Sequence, residues 1–216
     1  MKRFVTLCCV LVTLAAGVCA QSDGARRTAP APTLSGEPMP LNHGGKIETA
    51  YDGFAHETVV ELKRMNVTCQ VTNGSGGVVK GLCVTLRAAL HCPGKQLDYV
   101  RQATLFVTFE AKNWDTRHPP SERQLSVVAD GETMRLGRMG LVSQDVGDGW
   151  ANDDMKETLE LAVPFEVFQK LSRASYVEFS VGQTTFALRD KNVAALRDMN
   201  NRVKLPQAPA QAGGGN

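Results

Sequence analysis

The sequence predicts a mainly β fold, an antiparallel β-sandwich-like domain of about nine strands with two short helices in its C-terminal half. Three observations predict it. Apolar and polar residues alternate with period two through most of residues 51–205. The pairs Asp130-Gly131 and Gly182-Gln183 separate strand-like runs in the way hairpin turns do. Two late stretches then switch to helical spacing.

Strand-like runs fall at 57–63, 66–72, 80–92, 102–111, 124–129, 132–138, 157–163, 175–181 and 184–189. In the run at 80–92, Leu82, Val84, Leu86, Ala88, Leu90 and Cys92 share one phase, with Cys83, Thr85, Arg87 and His91 on the other. Leu105, Val107, Phe109 and Ala111 form the next apolar row, and Leu159, Leu161 and Val163 a later one. A helix is expected over 164–174, opening on Pro164 and placing Phe165, Phe168 and Leu171 on one face. A second is expected over 190–202, with Asp190 as N-cap and Val193, Leu196 and Met199 as a narrow stripe. Such stripes read as core.

The ends are different in kind. Residues 1–20 carry Lys2 and Arg3, an apolar run from Phe4, and Val18-Cys19-Ala20, the pattern of a secretory signal cut after Ala20. Lipidation at Cys19 and a retained anchor are the other readings; branched Val18 disfavours the first. The run of about fourteen apolar residues is short of the roughly 20 a membrane span needs. Residues 21–50, rich in Pro, Ala, Gly and Ser, read as a flexible spacer, and 206–216 as a disordered tail. Cleavage would remove two of the 24 Lys and Arg residues, leaving a count equal to the 22 Asp and Glu. A chain without net charge offers no electrostatic footprint for nucleic acid or anionic lipid.

"YDGFAHETVVEL" (51–62) and "TTFALRDKNVAALRDM" (184–199) resemble a group of uncharacterised exported bacterial proteins. These share a Y-D-x-F opening, a T-x-F-x-L strand and a closing helix ending in L-R-D. A more distant likeness is to the invasion-associated locus family of periplasmic β-sandwiches. The resemblance implies a bacterial, exported, β-rich domain and no particular activity.

Three cysteines, Cys69, Cys83 and Cys92, lie outside the signal. Their spacing lacks the close pair of a zinc site and the C-x-x-C of a redox site. Two readings stay open: a Cys69–Cys83 disulfide, or buried thiols. Strand phase puts Cys69 with Val67 and Val71 on the apolar face, so the disulfide requires a slip near Gly76-Gly77 or Gly81. Residues 69–83 are then expected to form a hairpin tip.

Two loops are candidates for chemistry. Asp145, Asp148, Asn152, Asp153 and Asp154 form an oxygen-rich loop of the kind that binds calcium, though without EF-hand spacing. Trp114, Asp115, Arg117 and His118 cluster before Pro119-Pro120 as a candidate ligand lip. The hydrolase motif fails because Asn73 stands where G-x-S-x-G needs glycine. The reading is a binding or structural module of the bacterial periplasm or envelope, with no catalysis and no cofactor. Its partner is an unidentified protein or envelope component; no nucleic acid and no transmembrane span after cleavage are expected. The alternative is an envelope enzyme or calcium-dependent protein using one of the two loops.

Overall fold

A computed structural model describes residues 42–112, 118–146 and 154–203. The expected signal, most of the spacer and the tail therefore lie outside the described residues. In chain order the strands are β1 (Ile47–Asp52), β2 (Glu57–Thr68), β3 (Val71–Thr72), β4 (Val78–Val79), β5 (Leu82–Pro93) and β6 (Gln102–Lys112). There follow β7 (Gln124–Ala129), β8 (Glu132–Arg138), β9 (Gly140–Val146), β10 (Asp154–Val163), helix α1 (Phe165–Arg173), β11 (Val177–Val181), β12 (Thr184–Ala187) and helix α2 (Asp190–Arg202). A 3-10 turn at Pro120–Glu122 precedes β7.

These strands make two antiparallel sheets of six, ordered β1-β2-β5-β6-β10-β9 and β4-β3-β12-β11-β7-β8. The expected mainly β, sandwich-like fold with two helices is what forms, and it is not a closed barrel. Period-two alternation produces it directly. The β5 row Leu82 to Cys92 and the β6 row Ala103 to Ala111 face inward, paired so that large meets small: Leu82 with Ala111, Ala88 with Leu105, Leu90 with Ala103. From the other sheet come Leu125, Val127, Val177, Phe179, Val181 and Phe186, all within one continuous core. Asp130 (φ 48) and Gly131 (φ +87) both take left-handed backbone, as a two-residue hairpin turn between β7 and β8 demands.

Both helices form close to where the sequence places them. Pro164 and Arg189 occupy the cap positions, so Asp190 is the first helical residue of α2, not its cap. The expected stripes are buried; α1 packs on α2, and α2 lies against β2. Asn192 fixes that placement. Its Oδ1 accepts the Arg189 backbone N–H (2.9 Å), and its amide nitrogen donates to the Asn66 carbonyl on β2 (3.0 Å). Among the described residues no helix is long and apolar enough to cross a membrane.

Three further sequence expectations change. β1 begins at Ile47 and His43 is buried, so ordered structure starts inside the stretch read as spacer. β9 was not expected; it is an edge strand with its Leu141 and Val142 exposed, so burial imposes little alternation on it. Residues 66–72 are not one strand. Two irregularities in β2, at Leu62/Met65 and Asn66/Thr68, reset its phase. At Cys69 the chain leaves the first sheet, builds the small β3–β4 hairpin on the edge of the second at β12, and returns into β5. Cys69 is therefore exposed, not on the apolar face with Val67 and Val71. The phase slip occurs upstream of the glycines, and the segment is an excursion between sheets.

Cys69 and Cys83 close the neck of that excursion as a disulfide, with Cα atoms 4.0 Å apart. Closing a loop with a sequence separation of 14 stabilises by about 3 kcal/mol through the unfolded chain. Cys92 is a buried free thiol whose pKa is pushed up to about 11, first by burial and then by the carboxylates of Asp98 and Glu57. Non-reducing peptide mapping should recover Cys69 linked to Cys83. Cys92 should alkylate at pH 8 only after unfolding. The double variant C69S/C83S should lose about 3 kcal/mol in urea unfolding; an unchanged midpoint would show that the neck closes without the bridge.

Candidate functional site

The row Met155, Glu157, Leu159, Leu161 and Val163 is the inward phase of β10, and its second member is a carboxylate. Glu157 stands opposite Phe109 on β6 and is 0% exposed. An unpaired charge there is prohibitively costly, so partners must come to it. His118 does: its Nδ1 donates to Glu157 Oε2 at 2.8 Å, and its backbone N–H approaches the same oxygen at 3.3 Å. Arg123 sets a guanidinium nitrogen 3.5 Å from Oε1, while its Nε donates to the His118 carbonyl at 2.9 Å. His118 Nε2 lies 3.0 Å from the hydroxyl of Thr184 on β12, and its ring packs 4.5 Å from that of Phe109.

The two sheets thus meet through a polar cluster set into the core. The segment at 118–123 is held against the sandwich by these bonds and by the turn after β11, with His118 alone of its residues buried. A Cβ on Gly182 (φ +57) would fall 2.3 Å from the Glu122 carbonyl oxygen, so only glycine fits there. The Met139 N–H donates to the Arg123 carbonyl (2.8 Å) where the chain passes from β8 to β9, tying that sheet-to-sheet crossing to the same residue.

Carboxylate, imidazole and hydroxyl stand in the order of a general-base relay. A second set of the same connectivity exists. His91 Nδ1 bonds Glu57 Oε1 (2.8 Å), and its Nε2 lies 3.2 Å from the Thr104 hydroxyl, on the outward phase of the first sheet. His43 pairs with Asp198 (3.2 Å) while its Nδ1 accepts the Gly45 N–H (3.0 Å), which fixes the proton on Nε2. The chain repeatedly satisfies imidazoles this way, and His118 is only 4% exposed. The geometry is that of a clamp.

At one end of the sandwich the chain presents aromatics instead of burying them. The β1–β2 turn is pinned by Asp52, whose carboxylate accepts the Phe54 and Ala55 N–H groups (2.8 and 3.2 Å). Phe54 on this turn is 99% exposed. The turn is tied to the β5–β6 loop: the Gly94 N–H donates to the His56 carbonyl, and the Thr58 hydroxyl to the Gly94 carbonyl, both at 2.8 Å. Lys95 on that loop holds its ammonium 5.3 Å from the Tyr51 ring centroid, and Tyr99 on the same loop is 60% exposed.

Of the sequence candidates, His118 is drawn inward as described, and Trp114, Asp115 and Arg117 lie outside the described residues. Asp145 is exposed near the end of β9 and Asp154 opens β10; Asp148, Asn152 and Asp153 lie outside the described residues. No three His, Cys, Asp or Glu residues group as metal ligands among the described residues. Glu157, Arg123, Thr184 and the aromatic end were missed. A glutamate in an apolar strand row was the readable signal for the first, and Tyr51 and Phe54 bracketing a turn for the last.

No protein-family model, no curated protein and no solved structure matches this chain.

Removing one member of a buried ion cluster strands the others. Glu157→Ala should cost about 3–5 kcal/mol in urea unfolding. Replacing the cluster whole, Glu157→Leu with His118→Leu and Arg123→Met, should recover much of that loss, since well-packed apolar groups need no partners. A triple variant weaker than E157A would contradict the clamp.

Proposed function

We propose that the chain is an exported, non-enzymatic binding module of a bacterial periplasm or cell envelope. It engages its partner through the end of the sandwich that carries Tyr51, Phe54 and Tyr99. The single observation behind this reading is Phe54, fully exposed on a turn that Asp52 holds in one conformation. Burying such a ring would return about 2 kcal/mol, so a pinned turn that presents it outward is arranged for contact. Aromatic side chains on loops at the end of a rigid β scaffold are efficient binding elements, because little rotamer freedom is lost per area buried.

Export is supported by the tripartite N-terminus, by the bridged Cys69 and Cys83, and by the likeness at the two ends of the domain. Exclusion of nucleic acid is supported by charge. On the first sheet and just before it, Lys46, Lys63 and Arg87 alternate with Glu48 and Glu61, and Arg64 and Lys156 both meet Glu110. These cations are paired, not gathered into a patch.

One observation favours a second reading, an acyl-transfer enzyme: the Glu157–His118–Thr184 order. There Thr184 Oγ would attack an ester carbonyl, its proton passing to His118 Nε2 and on to the alcohol that leaves as the ester C–O bond breaks. Water would then hydrolyse the resulting acyl-Thr184. The duplicate at Glu57, His91 and Thr104 and the enclosure of His118 favour the clamp.

A photo-crosslinking residue at position 54 should give an adduct in envelope extract, and one at exposed Tyr176 should not; equal labelling at both would remove the aromatic end as the binding site. Hydrolysis of p-nitrophenyl esters should equal the buffer rate. Turnover abolished by Thr184→Val would establish the second reading instead.

A further inference from the structure

We infer that the aromatic end takes a neutral saccharide chain, an inference that rests on this end being the binding site. The argument is one of charge and of spacing. The two segments that carry the rings, and their flanks, hold Lys95 and Arg101 against Asp52, Glu57 and Asp98, with His56 beside the Tyr51 hydroxyl. Asp52 is occupied by its own turn, and Glu57 is held between His91 and Arg101. No surplus of positive charge is left for phosphate or an anionic bilayer, each of which needs clustered cations. An uncharged ligand is the electrostatic complement.

Spacing separates saccharide from protein. A protein interface is built on a contiguous apolar centre that excludes water. Here the rings are set apart along the chain, by Asp52-Gly53 between Tyr51 and Phe54 and by Lys95, Gln96 and Asp98 before Tyr99, while Leu97 packs against the core. A pyranose has apolar C–H faces and a hydroxyl rim. Phe54 and Tyr99 can stack on sugar faces while Asp98 and the Tyr99 hydroxyl meet the rims. Lys95 and the Tyr51 hydroxyl are engaged within the end itself, the first at the Tyr51 ring and the second 3.4 Å from His56 Nδ1. A bilayer would ask for a basic, continuous apolar tip, and the single exposed Phe54 with two tyrosines is not one.

The full chain can be run in native gels polymerised with hydroxyethyl cellulose or glycol chitin, and sedimented with vesicles of anionic lipid. The expected result is retardation by a neutral polysaccharide, weakened about tenfold in apparent affinity by Phe54→Ala and by Tyr99→Ala. Tyr176→Ala, at an exposed tyrosine just before β11, should leave it unchanged. All three side chains are exposed, so the folded state is not at risk. Unchanged mobility in both gels overturns the saccharide; if position 54 still crosslinks specifically, the binding end stands with another partner, and if it does not, both fall. Vesicle sedimentation abolished by F54A also overturns the saccharide, with the bilayer as occupant.

Discussion

A carboxylate with no exposed surface, placed in the inward row of a strand, is the constraint around which this sandwich is arranged. Glu157 replaces what would otherwise be a Val or Leu between Met155 and Leu159, and it imposes conditions on segments far from it. A donor must reach it, so residue 118 turns inward. A second positive charge must approach, so Arg123 folds under the same segment and grips the His118 carbonyl. The β11–β12 turn must then make room, which fixes Gly182, and Thr184 completes the imidazole from the opposite sheet. Apolar packing alone joins two sheets without specifying where; a buried polar cluster joins them at one register.

The remaining joints between layers serve the same end. The excursion at residues 69–83 leaves one sheet, pairs with the other and is closed at its neck by a disulfide. Asn192 fastens the start of α2 to β2 through both sides of its amide. Together these joints fasten the two sheets and the closing helix to one another at separate places in the fold.

What was legible in the sequence follows from what burial does to a pattern. β5 and β6 could be read residue by residue because both their inner rows are wholly apolar. The helices could be read from three apolar positions each. β1 and β9 could not, since edge strands with exposed faces have no alternation to detect. Cys69 was misplaced because β2 ends at Thr68 and the chain crosses to the other sheet there, and nothing in the residues marks that exit. The cluster was half legible. His118 stood out in its loop, but its carboxylate lies 39 positions later, and the other histidine–carboxylate pairs span 34 and 155 positions. Such pairings are products of topology. The aromatic end needed the structure as well, since exposure of a ring is not a property of local sequence.

The central claim is that the Glu157–His118 pair is a sealed clamp and not an open relay. Nitrogen-15 NMR of the His118 ring tests it directly. A clamp requires a proton on Nδ1, donated to Glu157 and shielded from water, so its resonance should be observable and slow to exchange in the native protein. An Nδ1 without a proton, or one exchanging as fast as that of a solvent-exposed imidazole, would contradict the account.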